Sequence, residues 1–347
     1  MPALKNVISE TRSLFKWGGL LISTLFLIFI FIKIGTLFKD RFFPTPPPRP
    51  AVAFGKLPAP LFPAKKTNPK ITYSVDTLTG TLPSFPDRVK IYMTIGAKPN
   101  LLAFENMQKK VANLGFNSQG TQVSTDTYQW QTQEPMVKKL TVDIFSYDFS
   151  LTSSFIQDSQ NQSFLNSQDQ SNAINTATSF IESITSIPQD LDMAKTKTSL
   201  FTIQNKDIAP VTKVSLAKII KVDFFQKDID QLPIFYPNNS TMSMLLGRKT
   251  GEDLQVVEGE FVHQSISNDG STYPIKSADE AFSQLKLGNA YIVSDPKNSN
   301  NINIKKVTLG YYLGELRQDY LLPVIVFEDD FGFTAFVSAV KDEWVNK

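Results

Sequence analysis

The stretch KSADEAFSQLKLGNAYIV (276–293) sets a helix directly against a strand. Ser277 stands where an N-cap belongs and Glu280 follows three residues later, a pair that satisfies two of the free N–H groups at a helix start. Gly288 closes the helix, since glycine takes the left-handed conformation there without strain. AYIV (290–293) then reads as a strand, followed by IKKVTLGYYL (304–313), LLPVIVFE (321–328) and FTAFVSAV (333–340). Glu328-Asp329-Asp330-Phe331-Gly332 supplies the last hairpin turn.

The same unit recurs upstream. After the strands ITYSV (71–75) and RVKIYMTI (88–95), Asn100 precedes LLAFENMQKKVANL (101–114). Its Leu101, Phe104, Met107, Val111 and Leu114 share one helical face, and Gly115 stops it. TQVSTDTYQW (121–130) and KLTVDIFSYDF (139–149) follow as strands around a turn at Glu134-Pro135. A second helix is expected over 172–187, with Ala173, Ala177, Phe180, Ile181 and Ile184 inward and Pro188 ending it. Strands are expected over 198–204, 213–226, 232–237, 242–246 and 254–266. Between these units, SSFIQDSQNQSFLNSQDQSN (153–172) is so rich in Ser, Gln and Asn that it reads as a linker, with Phe155, Phe164 and Leu165 as docking points. Helix followed by antiparallel strands, three times over, gives the fold class α+β with one supersecondary unit reused.

WGGLLISTLFLIFIFIKIGTLF (17–38) carries one charge, Lys33. As a helix it spans about 33 Å, enough for a bilayer core. Lys33 lies near its end, where the ammonium snorkels to the interface. No small-x-small cleavage site follows, so the segment reads as an uncleaved signal-anchor. Basic residues flank both sides of it, and the short N-terminal tail cannot be a working domain; this sets the N-terminus in the cytoplasm and the bulk outside. Beyond it, nine prolines between Phe43 and Lys70 favour an extended polyproline tether. Within that tether AVAFGKLPAPLFP (51–63) is too apolar for a solvated spacer, and reads either as a motif for a proline-recognising partner or as a segment docked on its own domain. The expected organisation is a cytoplasmic tail (1–16), transmembrane helix (17–38), Pro-rich tether (39–70), first α+β domain (71–152), linker (153–171), second α+β domain (172–270) and a third helix-plus-sheet module (271–347) packed with the second.

Composition narrows the function. Residues 1–70 carry eleven Lys and Arg against two Asp and Glu, +9, while the remainder carries 24 against 31, −7. An acidic body repels phosphate backbones, which argues against nucleic acid, and the basic flank suits lipid headgroups. The chain has no cysteine and one histidine, His263, so thiol chemistry, disulfides, lipidation at cysteine and multi-histidine metal centres are excluded. Asp228 and Asp230, with Glu252 and Asp253, are hard oxygen ligands of the kind calcium takes, but no glycine-bearing twelve-residue loop accompanies them, and acidic turns between strands are common. Glu258 and Glu260 lie two apart on one strand and share a face, either as a carboxylate pair or as the solvated face of a strand whose Val257, Gly259 and Phe261 turn inward. His263 continues that face as a surface residue or a pH sensor. Of Tyr311 and Tyr312, the one facing outward would sit in a partner interface or pack across strands against Val326 or Phe336. No catalytic, cofactor-binding or metal site is assigned.

The succession DIDQLPIFYP (228–237), GEDLQVVEGEFV (251–262), YPIKSADEAFSQLKLGNAYI (273–292), VTLGYYL (307–313), LLPVIVFE (321–328) and FTAFVSAV (333–340) resembles the PepSY-like modules of YycH/YycI-type regulators. The resemblance rests on Ser277, Glu280, Ala281, Leu309, Gly310, Tyr311 and Tyr312, and covers roughly the last half of the chain. It implies a single-pass bacterial protein whose extracytoplasmic domains modulate an envelope-sensing kinase. The expectation is therefore a non-enzymatic, membrane-anchored extracytoplasmic protein that binds another envelope or membrane protein. The alternatives are a structural envelope scaffold and an envelope hydrolase built on Glu258 and Glu260.

Overall fold

The structure is a computed structural model that describes residues 23–31, 33, 50–63, 71–133, 136–158, 162–295 and 300–346. Residues 1–49 and 50–347 form two separate units. Of the expected membrane span, residues 23–31 and 33 are helical; its remaining residues, the 1–16 tail, residues 39–49 and the turn at Glu134-Pro135 lie outside the described residues. Among the described residues no helix is long and apolar enough to cross a membrane. The helical residues present their large apolar side chains outward, Phe26 at 64 % and Phe31 at 74 % exposure.

The second unit is a mixed α+β body. Its first part runs β1 (Thr72–Val75), β2 (Arg88–Thr94), α1 (Ala103–Asn113), β3 (Thr121–Gln122), β4 (Thr127–Thr132), β5 (Lys138–Asp143) and β6 (Phe149–Ser153). Next come α2 (Ser167–Ile184), β7 (Lys197–Gln204), β8 (Asp207–Pro210), β9 (Ile219–Asp223), β10 (Ile234–Phe235), β11 (Met242–Gly247), β12 (Gln255–Phe261) and β13 (Ile266–Pro274). The chain ends with α3 (Ala278–Lys286), β14 (Tyr291–Ser294), β15 (Asn301–Ile304), β16 (Lys306–Tyr312), β17 (Tyr320–Glu328) and β18 (Thr334–Ser338).

Nine strands make one antiparallel sheet in the order β3-β4-β5-β6-β12-β11-β9-β7-β8. It consists of two helix-led meanders, α1 with β3–β6 and α2 with β7, β9, β11 and β12, joined where their last strands pair. At that joint Phe149 faces Phe261 across the ladder, their rings stacked at 5.6 Å. One face of the sheet is apolar by strict alternation: Val222, Met244, Gly259, Leu151, Leu140 and Trp130 stand in one registered row. Gly259 leaves room there for the Met244 side chain, whose sulfur would lie 2.4 Å from an added Cβ and would have to move. Helix α2 covers this face with Ala173, Ala177, Ile181 and Ile184, and α1 presents Met107 and Val111 to the same core.

The second sheet runs β10-β16-β17-β18-β14, and β17 also pairs with β2, which pairs with β13. Its α3 has the expected capping box, with Ser277 Oγ accepting from the Glu280 N–H at 3.1 Å and the Ser277 N–H donating to Glu280 at 2.7 Å. Phe282 of α3 packs on Phe327. The third unit departs from a meander: β14, the strand after α3, pairs with β18 at the far side rather than with β16. The sheets also run across the boundaries expected at 152/172 and 270/271, since β6 pairs β12 and β2 pairs both β13 and β17.

Three expectations are corrected. Residues 153–171 are not a linker: Phe155, Ile156 and Leu165 are buried, and α2 begins at Ser167 under a capping box between Asn166 and Asp169. Phe164 does stay largely exposed, under the Lys218 ammonium. Leu101, expected on the inner face of the first helix, precedes it and is fully exposed. The tether bound of 39–70 is too long, because residues 50–63 belong to the folded unit; of the two readings of 51–63, the segment docked on its own domain is the one found, as a strap. Val52 and Leu57 donate N–H groups to Thr272 and Trp344 carbonyls, Asn346 donates back to Leu57, and Leu57 is wholly buried with Ile91, Tyr273, Leu322 and Val340. Farther along, Phe62 meets Tyr312 at 4.9 Å and Tyr291 at 5.4 Å.

The strap's attachment is directly testable. Leu57→Ala leaves a cavity in a closed cluster and is expected to cost about 2–5 kcal/mol. Thermal unfolding of the full chain should show this as a clear drop in Tm; an unchanged Tm would mean that residues 50–63 are held elsewhere.

Candidate functional site

The helix-free face of the nine-stranded sheet carries an apolar cluster of Ile219, Leu245 and Val257 around Phe155, and beside it a polar row. Lys197, Asp223, Ser243, Glu260 and Ser150 occupy one registered row across β7, β9, β11, β12 and β6. Between this face and the outer face of the second sheet lies a cleft of about 1120 Å³. The first sheet contributes Lys197, Lys221, Ser243 and Glu260; the second contributes Phe235, Val293, Glu328 and Phe336. At that volume it lies just above the range of about 300–1,000 Å³ typical of small-ligand sites.

Most charges around the cleft are matched internally. Lys221 holds Asp223 at 2.8 Å, with Asp223 itself buried. Lys195 bridges to Asp228 at 2.5 Å, and Lys306 meets Glu328 at 3.0 Å. Two groups are left over. Lys197 makes no ion pair among the described residues and places its ammonium 5.4 Å from the Phe225 ring. Glu260 has neither an ion pair nor a hydrogen bond among the described residues; water reaches it, yet the cleft walls exclude much of the surrounding solvent. That desolvation pushes its carboxyl above the usual carboxylate range, and the nearby Glu315 charge pushes it further. Glu258 is raised by burial alone.

Gln226 closes one end of the cleft and is 3 % exposed. Its amide nitrogen donates to Asp190 at 2.8 Å and to the Gln264 carbonyl at 3.1 Å, while its Oε1 is buried without a partner. Behind it runs a polar seam joining the sheets. His263 Nε2 lies 2.8 Å from Asp190, the His263 N–H donates to Asp148, and Arg317 bridges to Asp148 while donating to the His263 carbonyl. Gln264 adds donors to the Gly314 and Leu316 carbonyls and accepts from Gln318 N–H. Burial alone pushes both aspartates up. For Asp148 it prevails over Arg317, whereas for Asp190 it is outweighed by His263 and Gln226, which hold the carboxyl below its usual range.

Several sequence candidates resolve differently from expectation. Glu258 and Glu260 do share a face, but only Glu260 lines the cleft. Val257 joins their side rather than the helix-covered core, because a bulge between Leu245 and Leu246 turns it toward Phe155 and Ile219. His263 is no lone surface residue, being about nine-tenths buried in the seam. The acidic residues considered for calcium are apart: Asp228 is spent on Lys195, Asp230 accepts from Tyr92 at 2.5 Å, and Glu252 accepts from Gln255. Among the described residues no group of three or more His, Asp or Glu could hold a metal ion. Tyr311 and Tyr312 are both buried, Tyr311 donating to the Lys90 carbonyl and Tyr312 roofed by Phe62, so neither offers a partner surface. Lys197 and Gln226 carried no signal in sequence; their part in the cleft comes from strand order alone.

No family model and no curated protein matches the chain. Among solved structures it is similar to an uncharacterised protein from Eubacterium rectale ATCC 33656, determined at 1.45 Å, with 12 % identity over 78 % of this chain and 87 % of that one. The TM-score is 0.32, a likeness that carries no argument about fold or role.

The shifted carboxyls give opposite pH signatures. A raised folded-state pKa means that the native protein binds the proton more tightly, so the stability contributed is present at low pH and lost as pH rises through the folded value. Glu258→Gln and Glu260→Gln should therefore raise Tm at pH 7, with the gain shrinking as pH falls through the carboxylate range. Asp190 is depressed, so its contribution is present at neutral pH and lost only on strong acidification. Asp190→Asn should lower Tm at pH 7 and converge with the parent in acid. Thermal melts across pH read both signs.

Proposed function

We propose that this chain is a non-enzymatic, membrane-anchored extracytoplasmic protein of the bacterial envelope, which binds another envelope or membrane protein as a regulator or sensor accessory. The observation that carries the binding reading is the cleft, where the Glu260 carboxylate and the Lys197 ammonium have no ion-pair partner among the described residues. A wall of this kind recognises; it lacks an activated nucleophile. His263 is hydrogen-bonded to Asp190 and Asp148 and held by Arg317, and among the described residues no serine or threonine hydroxyl bonds to its ring.

The compartment reading is supported by the apolar sequence of residues 17–38, whose described part is helical with its bulky apolar side chains exposed. Exposed apolar surface of that size calls for lipid or a partner. The PepSY-like reading of the body rests on the sequence resemblance of residues 228–340. Anchoring confines the cleft to a thin layer beside the bilayer, which raises its effective concentration toward membrane partners. Binding then acts sterically, by occupying a partner's outer domain.

Two measurements test this. Membrane fractionation should recover the full chain only with detergent, and protease added to intact cells should remove the part beyond residue 70. Cross-linking in cells should return a discrete membrane or envelope protein. A freely soluble full-length chain, or cross-links to cytoplasmic proteins alone, would overturn the proposal.

A further inference from the structure

The cleft has two unlike ends. Along the registered row, Lys197 on β7 and Glu260 on β12 are separated by three strand steps through Asp223 and Ser243. At roughly 4.8 Å per step, the backbone positions of the two unpaired charges stand about 14 Å apart. Behind this end a second carboxylate, Glu315, accepts from the cleft residue Asn238 at 2.8 Å and acts on the Glu260 charge. One end is thus acidic, and the other offers a free ammonium beside lysines already neutralised by Asp228 and Asp223.

One further feature points to a chain-like ligand with amide groups. On the opposite wall, β14 ends its sheet: it pairs with β18 on one side, and among the described residues no strand pairs with its other edge. Val293 and Ser294 of that strand line the cleft. An open strand edge supplies alternating backbone donors and acceptors, which an extended peptide matches and a sugar does not.

We infer that the cleft binds an extended peptide segment of about four residues, with a cationic side chain or amino group at Glu260, a carboxylate at Lys197, and its backbone paired to the free edge of β14. About four residues follow from the 14 Å separation at about 3.4 Å per extended residue. The inference deepens the binding function proposed above, and rests on it: the segment is the part of the partner that this site reads. A free peptide and an extended segment of a folded partner share this chemistry, and differ in whether the cross-linked protein itself contains such a segment.

The test uses the full chain in detergent and three blocked peptides. These are Lys-Ala-Ala-Glu, its neutral counterpart Gln-Ala-Ala-Gln, and Lys-Ala-Ala-Glu with methylated backbone nitrogens. Fluorescence polarisation should show the charged peptide binding about tenfold tighter than the neutral one, the size of one well-placed charge-assisted contact. Glu260→Gln and Lys197→Gln should each remove that preference, whereas Glu258→Gln, outside the cleft, should keep it. Backbone methylation should weaken binding with the charges unchanged. Equal affinity for charged and neutral peptides, or an unaltered preference in Glu260→Gln, would overturn the inference, as would wall glycan fragments binding in a Glu260-dependent way where peptides do not. Failure here with a discrete cross-linked envelope partner leaves the proposed function standing; peptide binding by a chain that proves freely soluble removes the compartment and keeps the site.

Discussion

The pairing of β6 with β12 is the constraint on which the rest of the body depends. Each meander alone would leave the outer edge of its last strand, β6 or β12, open beside half a hydrophobic face, and a lone sheet edge is a template for aggregation. Joining the two last strands through Phe149 and Phe261 removes both edges at once. It also aligns the alternation of the two halves, so that a single apolar face runs unbroken from Val222 to Trp130 beneath α1 and α2. The polar side chains of both halves then share the other face. A one-residue slip at this joint would send one half's apolar residues to the wrong side, so the register fixes the core and the cleft floor together.

Burial on the helix side is complemented by polar tethering between sheets. His263 lies just past the end of β12 and Asp148 just before β6, so the same joint that builds the first sheet also delivers the residues gripping Arg317 of the second. Partly buried polar groups of this kind rarely add net stability over apolar ones, and they constrain geometry more than they strengthen it. In this fold they fix the distance between the sheets, and with it the width of the cleft.

Local signals were legible in sequence where a local rule governs. The Ser277/Glu280 capping box, the Gly115 and Gly288 stops, the inward face of α2 and the shared face of Glu258 and Glu260 all follow from spacing. What escaped was set by partners distant in the chain. The helix start at Asn166 was hidden because a Gln- and Ser-rich first turn resembles a solvated linker, and only Asp169 at the third helical position, engaged with Arg248, marks it. Val257 changed sides through a bulge that alternation cannot reveal. The strap's fate depended on whether a matching groove existed, and that groove is assembled from β2, β13, β17 and the C-terminal residues. The cleft has the same origin: Lys197 and Glu260 stand three strand steps apart on one wall of it only because β9 and β11 intervene between their strands.

The energetic character of the cleft is itself informative. Glu258 and Glu260 sit where burial disfavours their charge, and Gln226 keeps a buried acceptor unmet. Each departs from what stability alone selects, since a glutamine in place of either glutamate would carry no ionisation penalty. Elsewhere in the body the same conflict is resolved locally: Asp223 has Lys221, Asp169 has Arg248, and Lys276 has the Ser338 and Val340 carbonyls. In the cleft itself, Glu260 is the carboxylate left without an ion pair among the described residues, while Asp223 beside it is matched by Lys221. Local conflict of this sort is retained where it is used, because the donor or cation that would relieve it arrives with the ligand. A ligand that supplies both relieves the penalty on binding, so part of what the free protein forgoes in stability is recovered as affinity.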